Sequence, residues 1–324
     1  MRAVICKVYE GWEKLELGEL PDPQAGPGQV VIDVQAAGLN FPDLLLVAGK
    51  YQMKPPLPFV PGSECAGIIS EIGEGVTGWN VGDRVIAYTM NGGMAEKIAV
   101  AATNLIPLPA DMPFANGAGL TTTYATSHYA LKQRANLQAG ETILVLGAAG
   151  GVGLATVELA KAAGAIVIAG ASTDEKLQTA RDHGADICIN YSTENLKDRA
   201  KEITEGKGVD VIYDPVGGDL AEPAFRSIGF NGRYLVIGFA AGEIPRLPLN
   251  LPLLKTASII GVFWGAWAMR DPAGHAENMA EILGMYVDKK IKVTVSKQIS
   301  FENFLEGFSD LHERKAQGKL VLVP

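Results

Sequence analysis

Residues 142–153 read TILVLGAAGGVG, and this segment determines the fold that we predict. Branched apolar residues at 143–146 lead into closely spaced glycines, and the apolar spacing of a helix begins at Leu154. This order predicts a strand, a tight turn and a helix. Gly147 would allow a sharp exit from the strand, and Gly153 would let the helix begin close to the sheet. Because the first amides of a helix have no partners within it, the turn is a candidate anion site.

The glycines alone are weak evidence for a dinucleotide. They follow the spacing G-x-x-G-G-x-G, which is one residue looser than the G-x-G-x-x-G fingerprint. Their context is more informative, because apolar strands at residues 165–169 and 187–190 flank a polar helix start at 172–175. These elements complete a βαβαβ half of a dinucleotide-binding sheet. The alternative is a glycine-rich turn in an ordinary α/β protein.

Length and charge limit the function classes that need to be considered. With 324 residues the chain is long enough for about two domains. Its net charge of −8, without a Lys/Arg cluster, argues against nucleic acid or an anionic membrane as a partner. The N-terminal residues lack the apolar core of a signal peptide, so we expect a cytoplasmic protein.

The cysteines and histidines give little support for a metal site. Cys6, Cys65 and Cys188 are far apart in sequence and form no C-x-x-C pair, and the histidines are equally scattered. Neither a disulfide framework nor a cysteine-based zinc site is therefore predicted.

The chain before the nucleotide motif changes character near Pro113. Residues up to about 109 contain short apolar runs separated by turn clusters, a pattern typical of a small barrel or sandwich. Residues 38–51 interrupt this pattern as a loop that opens a short helix, with Asn40 at its entrance. From Pro113 onward the apolar spacing predicts helix up to the nucleotide motif.

After the motif, the alternation of strand and helix continues. Strands at residues 209–213, 233–237 and 258–262 would complete a doubly wound dinucleotide domain that ends near Trp264. The remainder is too short for a core of its own, and it contains a helix at 276–289, a strand at 293–299, a helix at 301–317 and a strand at 320–323. We expect it to join the N-terminal domain, with a separate C-terminal subdomain as the alternative.

Several motifs occur in an order that is typical of a known family. They are GLNFPD, GKY, PFVPGSE, VGDRV, AGLTTTY, GAAGGVG, YDPVGG and the ending AQGKLVLVP. Over essentially its whole length the chain resembles the zinc-independent, zeta-crystallin-like quinone oxidoreductases of the medium-chain dehydrogenase/reductase superfamily. The resemblance implies an α/β protein with a GroES-like β-barrel catalytic domain (1–118 and 266–324) and a doubly wound Rossmann domain (119–265). It also implies a cleft where the domains meet, and a homodimer or homotetramer.

The chain departs from the zinc alcohol dehydrogenases of that superfamily. Those enzymes have a cysteine near the position of Asn40 and a histidine before the glutamate of G-H-E, where this chain has Ser63 before Glu64. Their structural-zinc cysteines are also missing. Without a Lewis acid an alcohol is hard to oxidise, so the resemblance favours the reductive direction.

The end of the second strand indicates which nicotinamide coenzyme is used. Residues 169–172 read AGAS, so no carboxylate is placed there to bind a ribose 2′-hydroxyl and to repel a 2′-phosphate. Ser172, Lys176 and Tyr191 are similar in position to the residues that hold the phosphate and adenine in related reductases, and we therefore predict NADPH. The alternatives to coenzyme binding are structural: Ser172 would be a helix N-cap in a capping box with Glu175, and Lys176 would be a solvated surface charge.

The resemblance also implies the remaining site residues. The pyrophosphate would lie on residues 149–152, and backbone after the later strands would frame the nicotinamide. The predicted coenzyme-binding residues are Gly147, Ala149, Gly150, Gly151, Val152, Ser172, Lys176, Tyr191, Gly238, Phe239, Val262 and Trp264. Asn40 and Tyr51 would hydrogen-bond the acceptor's carbonyl oxygen, and Thr121 would contact the nicotinamide. A turn-capping Asn, a half-buried Tyr and a helix-start Thr are the alternatives.

Aromatic residues after the last predicted Rossmann strand have two interpretations. Phe263, Trp264, Trp267 and Met269 could form a wall beside a flat acceptor, or they could serve as core or dimer packing.

The leading functional hypothesis is an NADPH-dependent reductase of quinones that works by hydride transfer without metal. The close alternative is reduction of a conjugated C=C bond in an enone, alkenal or enoyl-CoA, which needs the same electron-poor small-molecule acceptor. From a different class comes an NADPH-binding, crystallin-like structural protein with little turnover.

Overall fold

The computed structural model describes all residues from Met1 to Pro324. Its strands, in chain order, are β1 (Arg2–Ile5), β2 (Glu16–Glu19), β3 (Gln29–Leu39), β4 (Glu64–Ile72), β5 (Arg84–Tyr88), β6 (Lys97–Ala101), β7 (Leu105–Pro107), β8 (Thr142–Leu146), β9 (Ile166–Ala171), β10 (Ile187–Asn190), β11 (Val209–Asp214), β12 (Ile228–Val236), β13 (Ser258–Gly261), β14 (Val295–Ser300) and β15 (Lys319–Val323).

The helices alternate with these strands. They are α1 (Phe41–Val47), α2 (Phe114–Leu120), α3 (Thr126–Tyr129), α4 (Gly151–Ala162), α5 (Asp174–Asp182), α6 (Leu196–Ile203), α7 (Ala221–Arg226), α8 (Asn250–Lys255), α9 (Trp264–Arg270), α10 (Pro272–Val287) and α11 (Phe304–His312). Two π-helical turns, Thr121–Ala125 and Ala130–Arg134, continue α2 and α3. None of these helices has both the length and the apolar character needed to cross a bilayer.

The residues form two compact units. The first unit consists of Met1–Thr122 and Val293–Pro324, and the second unit of Thr123–Lys292. Both ends of the chain therefore belong to the first unit, and the second unit is inserted between them.

A branched sheet forms the first unit. Its strand order is β14-β15-β3-β4-β5-β7, and β6 also pairs with β3. All pairs are antiparallel except β14 with β15. The long strand β3 is buried along most of its length because it has three neighbours, and its end leads directly into α1. This connection, the start of β4 and the start of β15 bring Asn40, Glu64 and Lys319 together.

A parallel sheet forms the second unit. Its order is β10-β9-β8-β11-β12-β13, and every neighbouring pair is parallel. Counted from β8, this is the order 3-2-1-4-5-6 of a doubly wound dinucleotide domain. The side chains of residues 143–146 are fully buried at the centre of the sheet, which explains the apolar run in the sequence. The order reverses between β8 and β11, so a ligand crevice is expected beyond their carboxyl ends.

The end of the second unit differs from the predicted boundary at residue 265. Helix α10 belongs to the second unit, whereas we expected the helix at 276–289 to join the N-terminal domain. It is held there by side chains of the α3 region: Gln133 Nε2 donates to Asn278 Oδ1 at 2.8 Å, and Lys132 Nζ pairs with Glu281 at 2.6 Å. The helix predicted at 301–317 is also shorter, since it divides into a 3₁₀ turn (Phe301–Asn303) and α11.

Candidate functional site

The turn between β8 and α4 needs glycine at two positions, Gly147 and Gly153. Gly147 has a φ of 58°, in the left-handed region where a Cβ is unfavourable. A Cβ on Gly153 would lie 2.2 Å from the carbonyl oxygen of Gly147, so only glycine lets the helix start against the turn. Both roles predicted for these glycines are present in the structure.

The first turn of α4 points unpaired amides away from the helix. Its first internal hydrogen bond joins the N–H of Leu154 to the carbonyl of Gly150 at 2.8 Å. The N–H groups of Gly151, Val152 and Gly153 have no acceptor in the protein. Ala149, just before them, is buried. Three convergent donors at a positive helix end, in a cradle that a Cβ would fill, fit a phosphate group.

The loop after β11 borders this turn across the reversal of strand order, and it is organised by a buried carboxylate. Asp214 Oδ1 accepts the N–H groups of Val216 and Gly217 at 2.7 and 2.8 Å, and its other oxygen accepts the hydroxyl of Tyr234. Burial raises the pKa of Asp214, while the tyrosine hydroxyl and the two amides oppose the rise. A Cβ on Gly147 would lie 3.0 Å from the side chain of Val216, so the two loops touch. Asp214 lies in the YDPVGG motif, whose local pattern predicts no role for it.

The residues predicted to bind the 2′-phosphate and adenine lie at neighbouring strand ends. Ser172 follows β9, Lys176 lies in the first turn of α5, and Tyr191 follows β10, where its N–H donates to the carbonyl of Ala171 at 3.1 Å. The alternative role of Ser172 as the helix N-cap is not the one in the structure: Thr173 occupies the N-cap, and its Oγ1 accepts the N–H of Lys176 at 3.3 Å.

The carboxylate nearest in sequence to the end of β9 is already engaged. Asp174 Oδ1 accepts a hydrogen bond from Asn190 Nδ2 at 2.8 Å. It therefore ties the start of α5 to the end of β10 rather than standing free at the end of β9.

The other predicted coenzyme residues follow β12 and β13. Gly238 and Phe239 lie in the loop after β12, and the N–H of Gly238 donates to the carbonyl of Asp214 at 3.4 Å. The N–H of Val262 donates to the carbonyl of Val236 at 3.0 Å, and Trp264 begins α9 as a buried side chain. Beyond them the predicted aromatic wall divides. Phe263 and Met269 are exposed, Trp264 packs edge-on against His275, and Trp267 stacks on Tyr129 with ring centroids 4.5 Å apart.

In the first unit, Asn40 belongs to a buried network of charged groups. Its Nδ2 donates to Glu64 Oε1 at 2.8 Å, and its Oδ1 accepts a hydrogen bond from Lys319 Nζ. Lys319 Nζ also pairs with Glu64 Oε1 at 2.6 Å, and Glu64 Oε2 accepts the N–H of Thr122 at 2.8 Å. Asn40, Glu64 and Lys319 are 6%, 0% and 4% exposed, so the ion pair is shielded from water. Asn40 is one of the predicted site residues, whereas Lys319 in the closing motif AQGKLVLVP was not predicted.

A second carboxylate lies beside this network. Asp43 Oδ2 accepts the N–H of Asn40 at 2.8 Å, and Oδ1 accepts the N–H of Gly62 at 3.3 Å. Burial raises the pKa of Asp43 to about 7, against the lowering effect of these amides and of Lys319. Burial also raises the pKa of Tyr51, and the charge of Asp43 adds to that rise. Tyr51 is half-buried against the core of the first unit.

Thr121 lies at the start of the π-helical turn that follows α2. Its side chain is fully buried, and its Oγ1 has no hydrogen-bond partner in the protein. A buried hydroxyl without a partner is costly, which fits a residue that hydrogen-bonds a bound group.

Comparisons with known proteins agree with this architecture. Residues 26–110 match the family model described as "Alcohol dehydrogenase GroES-like domain", and residues 151–281 match the one described as "Zinc-binding dehydrogenase". These matches confirm the predicted combination of a GroES-like domain and a Rossmann domain.

Three similar proteins illustrate the range of the relationship. The chain is 40% identical to "Quinone oxidoreductase-like protein 2 homolog" of Nematostella vectensis over 323 residues, 99% of this chain and 88% of that one. The structure of Escherichia coli quinone oxidoreductase complexed with NADPH is 29% identical with a TM-score of 0.93, covering 100% of both chains. The CurK enoyl reductase is 26% identical with a TM-score of 0.90, covering 99% of this chain and 98% of that one. The chain thus belongs to the quinone oxidoreductase family of the medium-chain dehydrogenase/reductase superfamily.

Proposed function

We propose that this protein is an NADPH-dependent reductase of quinones that transfers hydride without a metal ion. The observation that carries the proposal is the set of unpaired amides of Gly151, Val152 and Gly153 at a turn that needs glycine at two positions. Such a turn at the reversal of a doubly wound sheet suits the pyrophosphate of a dinucleotide. The NADPH in the similar Escherichia coli structure supports the same coenzyme.

The preference for NADPH over NADH rests on the ends of β9 and β10. Residues 169–172 offer no carboxylate to a ribose, and Asp174 is bonded to Asn190. Lys176 stands in the first turn of α5, where its charge and the helix end both favour a 2′-phosphate.

The first unit supplies the groups that act on the acceptor. NADPH, when bound, supplies the hydride. Asn40 has an amide N–H that can donate to the acceptor's carbonyl oxygen as negative charge develops there, and Tyr51 carries a hydroxyl that can serve as a second donor. The contacts of Lys319 support zinc independence. Its ammonium contacts Asn40, near the position where the zinc enzymes have a cysteine, and Glu64, which directly follows the position of their histidine.

A panel of acceptors with both coenzymes tests this function. Oxidation of NADPH and of NADH is measured with 1,4-quinones, 2-alkenals and an enoyl-CoA as acceptors, and the zinc content of the enzyme is determined. We expect quinones to have the highest kcat/KM, NADPH to be preferred, and zinc-free enzyme to be fully active. Turnover that tracks zinc content, or a preference for NADH, would contradict the proposal.

Reduction of a conjugated C=C bond is the second candidate function, and the similarity to the CurK enoyl reductase favours it. In the same panel this function predicts that the kcat/KM for an alkenal or an enoyl-CoA exceeds the kcat/KM for every quinone. Tight NADPH binding without turnover of any acceptor would instead indicate the crystallin-like, structural function.

A second copy of this chain is the partner that we propose. Strand β13 ends the sheet of the second unit with a single neighbour, and Ile259 on it is half exposed. Helix α8 and the residue before it add Leu249, Leu253 and Leu254, which are 79%, 78% and 71% exposed. An open sheet edge beside an apolar patch is covered by the same edge of a second copy around a two-fold axis.

A further inference from the structure

We infer that Lys319 is a positioning residue that, together with Glu64, fixes the side-chain amide of Asn40 with an N–H available to the acceptor. This inference rests on the proposed function, because it explains how the first unit presents a donor. Lys319 would act through Asn40 and would not touch the acceptor itself.

The chemistry of the network permits only one orientation of the amide. An ammonium group can only donate hydrogen bonds, and an ionised carboxylate can only accept them. The amide of Asn40 therefore turns Oδ1 toward Lys319 and Nδ2 toward Glu64, as the contacts show. Rotating the amide by half a turn would place Nδ2 against the ammonium and Oδ1 against the carboxylate, which are two repulsive contacts.

One hydrogen of the amide remains for a ligand. Asn40 Nδ2 carries two hydrogens, and the structure gives a protein acceptor only to the one that faces Glu64. The ammonium on Oδ1 draws electrons from the amide and makes the remaining N–H a stronger donor, since linked hydrogen bonds polarise one another. A donor fixed in advance stabilises developing negative charge without reorganisation.

Two glycines make space for the ion pair. A Cβ on Gly38 would lie 2.6 Å from Glu64 Oε1 and 2.2 Å from the carbonyl oxygen of Ala118. A Cβ on Gly119 would lie 2.9 Å from Cγ of Lys319. The strand β3 and the helix α2 thus pack closely against Glu64 and the stem of Lys319, so the position of the ion pair is set by packing as well as by charge.

The test is a double-mutant cycle between Lys319→Met and Asn40→Ala, using the acceptor that the wild-type enzyme reduces best. We expect Lys319→Met to lower kcat at least tenfold while the Kd of NADPH changes less than twofold. In the Asn40→Ala background the same substitution should change kcat less than twofold, because the group through which it acts is gone. Equal losses in both backgrounds, or wild-type kcat in the single variant, would overturn the inference.

Two further variants distinguish a specific effect of Lys319 from a general loss of structure. Lys297→Met removes an ammonium from the neighbouring strand β14, where it pairs with Glu306 and Asp310, and it should leave kcat unchanged. If Lys319→Met does not fold, because it leaves Glu64 buried without its ion-pair partner, the cycle is run with Glu64→Gln added to it.

A readout that needs no turnover separates this inference from the proposed function. Asparagine-selective ¹⁵N labelling follows the side-chain amide of Asn40, which is assigned by its loss in Asn40→Ala. We expect Lys319→Met to shift its ¹⁵N signal and to draw its two proton signals together. Unchanged signals would overturn the inference even if quinones are reduced, and shifted signals would support it even if no quinone is.

Discussion

Asp43 shows how a single buried group makes stability depend on pH. Its pKa in the folded chain is raised from 3.8 to about 7, chiefly by burial. Between these values the folded chain holds a proton that the unfolded chain has released. The free energy of unfolding contributed by this group therefore falls as pH rises through that window, and it is constant above it.

We expect Asp43→Asn to remove this dependence. Relative to the variant, the wild-type chain should lose about 1.4 kcal/mol of unfolding free energy per pH unit within the window. Urea unfolding at several pH values from 4.5 to about 8 measures the difference, and subtraction of the two curves cancels the other titrating groups. Parallel curves for the two proteins would show that Asp43 does not titrate in this range.

Lys176 is the residue on which the predicted coenzyme preference depends most. We expect Lys176→Ala to weaken NADPH binding about tenfold or more, the usual effect of losing one charged hydrogen bond to a phosphate, and to leave NADH binding unchanged. Calorimetric titration with both coenzymes measures this. Arg181→Ala removes the same charge from the other end of α5 and should affect neither coenzyme. An equal loss for NADPH and NADH would rule out a contact with the 2′-phosphate.

At the scale of elements, Gly153 decides whether α4 can start against its turn. Its replacement by alanine would place a Cβ 2.2 Å from the carbonyl oxygen of Gly147, so the helix or the turn must move. We expect Gly153→Ala to weaken NADPH binding at least tenfold and to cost about 1–3 kcal/mol of stability.

Gly284 in α10 is the matched control for that substitution. A Cβ there meets nothing within 4 Å, so Gly284→Ala should leave NADPH binding unchanged and should raise stability by up to about 1 kcal/mol. Coenzyme titration and thermal unfolding measure both variants. If Gly153→Ala bound NADPH normally, the close approach in the turn would not matter for the coenzyme.

Elements with a strong local signal could be predicted from the sequence. The strand β8, its turn and α4 follow from apolar periodicity and glycine placement, and α1 begins directly after Asn40 as expected. Strands β2, β6 and β7 were not predicted, since they have only four, five and three residues and carry little periodic signal. The helical pattern of α10 was predicted but not the surface on which it packs, because an apolar helix face does not specify its partner.

The residues of the candidate site also divide into those with a local sequence signal and those that depend on distant partners. Gly147 and Asn40 could be named because they stand in short motifs with a local mechanism. The pairing of Glu64 with Lys319 could not be predicted, because these residues are 255 positions apart in sequence. Ion pairs at such a separation depend on strand neighbours that no local pattern specifies.

At the scale of the whole molecule, the open edge at β13 leads to a prediction about assembly. We expect the chain to have twice its mass of 34.2 kDa in solution, and Leu253→Glu to shift it toward the monomer. Size-exclusion chromatography with light scattering measures this. Val81→Glu changes another exposed apolar residue, in the first unit, and should leave the mass unchanged. A wild-type monomer would contradict the proposed partner, whereas the predicted cytoplasmic location is independent of this test.

Because β15 pairs with β3, the first unit can complete its sheet only after the end of the chain has been synthesised. A ribosome that adds about 5–20 residues per second needs about 13–51 s to travel the 255 positions from Glu64 to Lys319. During that interval the whole second unit, Thr123–Lys292, is synthesised, while Glu64 in the first unit has no counter-ion. The second unit is thus complete in sequence before the first unit, which carries Asn40, can form the ion pair of Glu64 with Lys319.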